Sequence, residues 1–122
     1  MRGALALAAL LCAAQIAAST ATATAATRSQ VQVVEKEYSL TLSRLRVRSG
    51  TVVVQLVNFG MDDHDLVVQG SAKGSKPVTF ATLAPGKLET KTLKLAPGRY
   101  TLYCSIPGHR ALGMVASLTV AK

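Results

Sequence analysis

A thiol, an imidazole and a thioether stand at equal intervals near the C-terminal end of this 122-residue chain, as Cys104, His109 and Met114, with four residues between each pair. A cysteine thiolate, a histidine nitrogen and a weak methionine sulfur suit copper, where methionine serves as the axial partner of a His₂Cys plane. That plane requires a second imidazole, and His64, about forty residues upstream, is the only other histidine in the sequence. Candidate ligands and required positions therefore match in number. Taken alone His64, set among acids in Asp62-Asp63-His64-Asp65, reads as a solvated loop residue; the 104–114 loop makes it a ligand. The aspartates invite a calcium reading, but a calcium loop usually brings more oxygen ligands and ends in a glutamate.

The N-terminus begins Met1-Arg2-Gly3, continues as an Ala/Leu run through Leu11 and Ala18, and ends in small Ser/Thr/Ala residues. This order is that of a secretory signal, with cleavage after Ala18, Ala23 or Ala25, and residues 1–25 are assigned to it. The apolar run falls short of the roughly 20 residues a spanning helix needs; a retained anchor is the alternative. Cys12 lies in the apolar run, and Leu11 before it is not the small residue that a lipid-attachment signal wants. Cleavage leaves Cys104 as the single cysteine of an exported chain, unable to close an internal disulfide, and metal ligation accounts for its retention.

The full chain carries a formal charge of +8, and without the leader +7. The remaining residues, 26–122, form one small domain. A basic balance suits nucleic acid, an anionic surface or an acidic protein. Export argues against nucleic acid, and the five aromatics (Tyr38, Phe59, Phe80, Tyr100 and Tyr103) are not interleaved with Lys/Arg as a stacking platform requires.

Short apolar or alternating runs divided by turns must position the ligands. They are expected at Val31–Val34, Tyr38–Leu42, Leu45–Arg48, Thr51–Val57, His64–Val68, Leu88–Leu95, Arg99–Cys104 and Met114–Val120. No window shows a convincing amphipathic helix. About seven to eight closely spaced strands with Pro/Gly turns predict an all-β sandwich. Within the run to Cys104, Tyr100, Leu102 and Cys104 share one face, which should point inward and set the sulfur at the rim of the core. Arg44, Arg46 and Arg48 recur at period two, either as a basic stripe or as a solvated strand face that discourages edge pairing. Leu83-Ala-Pro-Gly86 and Leu95-Ala-Pro-Gly98 read as two similar turns flanking one strand.

The segment Gly98-Arg-Tyr100-Thr-Leu-Tyr103-Cys104-Ser-Ile-Pro-Gly-His109, with Met114-Val after four more residues, resembles the C-terminal half of the plastocyanin/azurin type of cupredoxin. Asn58-Phe-Gly-Met-Asp-Asp-His64 is similar to that family's first-histidine loop. The resemblance implies a Greek-key β-sandwich holding one type 1 (blue) copper at one end through His64, Cys104, His109 and Met114, and an electron-transfer role. Two positions depart from the plastocyanin pattern. Four residues rather than two separate Cys104 from His109, and Asp65 follows the first histidine where Asn is frequent; its carboxylate can still accept hydrogen bonds from Ser105.

The expected protein is therefore an exported electron carrier, in the periplasm or on the extracellular side of the envelope, and a monomer. Its expected partners are acidic redox proteins, a cytochrome or a membrane redox complex, met through the apolar loop residues Ile106, Pro107, Ala111 and Leu112, with transient association at a membrane surface. A copper-delivery or copper-buffering module using the same ligands is the alternative. An enzyme is not expected, because protein fills all four copper positions and no Ser/His/Asp set or second metal cluster exists.

Overall fold

Residues 29–122 are described by a computed structural model; the expected signal, residues 1–25, lies outside them. Nine strands build two sheets: β1 (Ser29–Lys36), β2 (Ser39–Leu42), β3 (Arg46–Arg48), β4 (Gly50–Asn58), β5 (Val67–Gly70), β6 (Val78–Thr79), β7 (Leu88–Leu95), β8 (Gly98–Tyr103) and β9 (Val115–Ala121). One sheet has the order β2-β1-β4-β7 and the other β3-β9-β8-β5-β6. Pairing is antiparallel except for β1 with β4 and β3 with β9. The chain crosses repeatedly from one sheet to the other, so strand order departs from sequence order in both, as Greek-key connections require.

The sandwich forms because the strands alternate. Val31 and Val33 from β1, Val52, Val54 and Leu56 from β4, and Leu93 and Leu95 from β7 face inward from the first sheet. They meet Val68, Leu102, Leu118 and Val120 of the second, with Phe80 filling the space beside them. At roughly 1.5–3 kcal/mol for each fully buried aliphatic or aromatic side chain, this apolar face is the main force that closes the sheets.

Three local readings differ from expectation. The run expected as a strand from His64 becomes a strand only at Val67, because His64 makes an isolated bridge to Leu83 instead. Val78–Thr79 adds a short edge strand with too little alternation to stand out. His109–Leu112 forms one helical turn, α1, too short to carry a helical periodicity. Arg46 and Arg48 point outward around buried Val47 on β3, an edge strand, as expected of residues that discourage edge pairing.

Strand direction gives the sandwich two unlike ends. The ends of β1, β4 and β8 and the starts of β5, β7 and β9 converge on the candidate ligands; the starts of β1, β4 and β8 and the ends of β7 and β9 lie opposite. All six acids of the chain sit in the ligand half, at positions 35, 37, 62, 63, 65 and 89. The charge of +7 is therefore not spread evenly over the domain.

Candidate metal centre

The strand that ends at Tyr103 keeps its inward parity for one residue more, which buries Cys104 completely beside Leu102. The Cys104 amide donates to the Met114 carbonyl at 3.1 Å, and the Met114 amide donates to the His109 carbonyl at 3.1 Å. Two backbone bonds thus tie the three residues of the loop together before β9 begins. Between them Gly113 adopts φ +128°, and a Cβ there would lie 2.7 Å from the Tyr38 carbonyl oxygen. Glycine is needed on both counts. Met114 emerges fully buried.

His64 comes from the other direction. Asn58, buried at the end of β4, donates through Nδ2 to the carbonyls of Asp62 (2.7 Å) and Leu83 (2.8 Å) and accepts the Gly60 amide at Oδ1 (2.8 Å). The loop is folded around one side-chain amide. His64 then bonds Leu83 in both directions through the backbone, at 3.1 and 2.7 Å, and its ring is fully buried.

The result brings three of the four sequence-predicted residues together, with Met114 buried and backbone-bonded to the same loop. Ligand atoms of His64, Cys104 and His109 all lie within 4.8 Å of one another. His64 Nδ1 is 3.2 Å from His109 Nδ1, which is 3.7 Å from Cys104 Sγ. Two imidazole nitrogens bound about 2.0 Å from one ion at a trigonal angle lie roughly 3.5 Å apart. The spacing fits a single first-row metal ion. Burial pushes the Cys104 thiol above its usual range, so a metal that holds it as thiolate meets a dry, poorly solvated sulfur.

The tie expected from Asp65 exists. Its carboxylate accepts the Ser105 amide at 2.6 Å and the Ser105 hydroxyl at 2.5 Å, joining the His64 loop to the residue after Cys104. His109 is only half buried and packs edge-on against Tyr38, with ring centroids 5.1 Å apart. Arg110 stacks over Tyr103 at 4.2 Å and covers the side of the loop.

Sequence reasoning missed two carboxylates. Glu37 Oε1 lies 2.8 Å from His64 Nε2 and accepts the amides of Met61 and Asp62, both at 2.9 Å. Those two amides, Asp62 first, with a smaller contribution from His64, hold its pKa down at about 2. Ionised Glu37 fixes the proton of His64 on Nε2 and leaves Nδ1 free to bind metal, the carboxylate–histidine arrangement found around metal sites. Any side chain at Gly60 would overlap that carboxylate. No local signal marks Glu37, since its partner is 27 residues away. Glu37→Ala is expected to weaken metal binding roughly 10–100-fold, as loss of an outer hydrogen-bond partner does, with Glu37→Gln intermediate; chelator competition measures both.

Glu35 was legible. It follows Val31 and Val33 at period two, so its side chain belongs inside, in a row with Leu40 and Asn58. It is fully buried, and neither carboxylate oxygen has a hydrogen-bond partner among the described residues. Burial, with a smaller push from Asp65, raises its pKa to about 8.

Solved structures share this architecture. Reduced auracyanin from Roseiflexus castenholzii superposes with a TM-score of 0.65 at 23% identity, covering 77% of this chain and 98% of that one. Auracyanin A from Chloroflexus aurantiacus gives 0.61 at 15% identity, over 76% and 98%. Rusticyanin from Thiobacillus ferrooxidans gives 0.58 at 22% identity, over 75% and 77%. At these identities the likeness is one of fold. No curated protein matches the chain by sequence. The family model of copper binding proteins, plastocyanin/azurin family, matches residues 27–121, the whole length of the sandwich and both loops that meet at the site. The chain belongs to that family, and copper is the cofactor its site is built for.

Proposed function

We propose that the protein is an exported type 1 copper protein that shuttles single electrons between redox partners, with copper held by His64, Cys104, His109 and Met114. The observation that carries this reading is the convergence of a buried thiol and two imidazoles within 4.8 Å, with buried Met114 locked to the same loop. Copper, when bound, supplies a one-electron couple. The chain supplies rigidity: Asn58, Glu37 and the Asp65–Ser105 bridge hold both loops, so the ligands need not move when the charge at the site changes. Small reorganisation favours fast exchange.

His64, Cys104 and Met114 are all 0% exposed, whereas His109 reaches the surface. The His109 ring is therefore the direct way in for electrons, with half-buried Tyr103 beside Cys104 as a second route. On the loop that carries it Leu112 is 60% exposed, and with Pro107 and Ala111 it gives a redox protein an apolar face to dock on. Since the acids share this end, docking here depends more on apolar contact than on the domain's net charge. The same burial weighs against copper delivery, which needs a ligand set that an acceptor can reach. With four protein ligands, no position remains for a substrate, so the site suits a carrier and not an enzyme. The leader-like residues 1–25 support export of the 26–122 domain, and auracyanin A, described as a "blue" copper protein, supports the copper type.

Copper-loaded protein should be intensely blue, bleach with a reductant and recover with an oxidant while keeping its metal. A colourless protein, or one that hands copper to an apo acceptor once reduced, overturns the reading. Met114→Leu is a volume-conserving change that should keep copper and colour yet raise the potential in voltammetry, because loss of axial donation disfavours Cu(II).

A further inference from the structure

The end of the sandwich opposite the ligands is uniformly basic. Arg46 and Arg99 flank Thr119 across β3, β9 and β8, and Arg48 follows two residues on, so all three arginines share the outer face of one sheet. Lys73 and Lys76 project from the loop between β5 and β6, which starts beside Arg99. Lys94 opposite Thr51 and Lys122 after β9 complete the belt. All seven are exposed, and none is in an ion pair among the described residues.

Distance separates this belt from the acids. Strand β4, nine residues long, spans roughly 30 Å, about three times the screening length at moderate salt, roughly 10 Å. An acidic redox protein drawn to the belt would be held too far from His109 to exchange electrons directly, so the basic end does not serve that encounter. The chain enters the fold at Ser29 on this same end, and the residues ahead of it include the apolar run, Arg2 and Arg28 but no acid.

We infer that the basic end is a docking surface for an anionic phospholipid bilayer, which holds the sandwich upright with the ligand loops facing away from the lipid. Phosphate headgroups complement the belt, a flat surface can meet residues from both sheets at once, and the first described residue, Ser29, lies at that end. Lysines and arginines near an anionic surface each add to binding, and their contributions multiply.

Full-length protein should be tested for co-sedimentation with vesicles of pure phosphatidylcholine and with vesicles containing phosphatidylglycerol. The ratio of the two partition coefficients isolates the charge contribution from any insertion by the apolar run. The ratio should exceed about 10 at low salt, fall toward 1 at high salt, and drop at least about tenfold in the Arg46→Glu, Arg48→Glu, Arg99→Glu triple variant. A control at the other end, Lys36→Glu with Lys87→Glu, should leave it within about twofold. Equal partition into both vesicles, or a preference that the control abolishes and the triple variant retains, overturns the proposal. Failure to bind phosphatidylglycerol together with far-end binding to polyglutamate overturns it too, in favour of an acidic protein.

Discussion

Cys104→Ser is expected to abolish the blue colour and most of the copper binding. The colour requires thiolate-to-copper charge transfer, and Cys104 is the only cysteine among residues 29–122. Loss of an outer hydrogen-bond partner alone typically weakens a metal site roughly 10–100-fold, so loss of the thiolate ligand should weaken it by at least about 100-fold. The substitution also puts a hydroxyl at a position with no exposure. Without a partner it should destabilise the metal-free fold by about 1–3 kcal/mol. Visible absorption, chelator competition and thermal melting of the apo form measure these three effects separately. A variant that remains blue refutes the assignment of Cys104.

The second large effect concerns Glu35 and pH. Its ordinary pKa of 4.5 rises to about 8 in the fold, so between those values the folded chain keeps a proton that the unfolded chain releases. Stability falls with rising pH wherever the folded state binds more protons than the unfolded one. The contribution is fully present below pH 4.5 and is lost as pH rises through about 8. Each tenfold change in proton affinity is worth about 1.4 kcal/mol, which makes the total on the order of 3–5 kcal/mol. Glu35→Gln removes the titration while keeping the shape. Relative to wild type, the variant should therefore gain stability from pH 5 to pH 9 by an amount of that order, read from urea midpoints of the apo protein. Parallel curves for the two proteins would show that Glu35 is not a buried neutral acid.

Much of the site was legible because its chemistry is concentrated. Cys104, His109 and Met114 fall in one short loop, and no third histidine competes with His64. The sandwich was legible from strands such as β1 and β3, where alternation at Val31/Val33 and around Val47 shows which residues are buried. Short or irregular pieces were not: β6 has two residues, α1 has four, and His64 sits outside any ladder because its backbone pairs with Leu83. Glu35 shows a rule that was available, since its inward parity was set by Val31 and Val33.

The sequence by itself offered the copper-type donors His64, Cys104, His109 and Met114 and patterned the two sheets, because donor chemistry and period-two patterning are read residue by residue. Only the tertiary structure decided what the ligands lean on and where the charge goes. Glu37 reaches His64 across 27 residues, a pairing that no local pattern marks. A net charge has no direction in a sequence; here strand polarity collects every acid near the ligands and seven basic residues at the other end. Side-chain contacts between distant segments exist only after the sheets have closed, because only then do strand register and direction set which residues share an end.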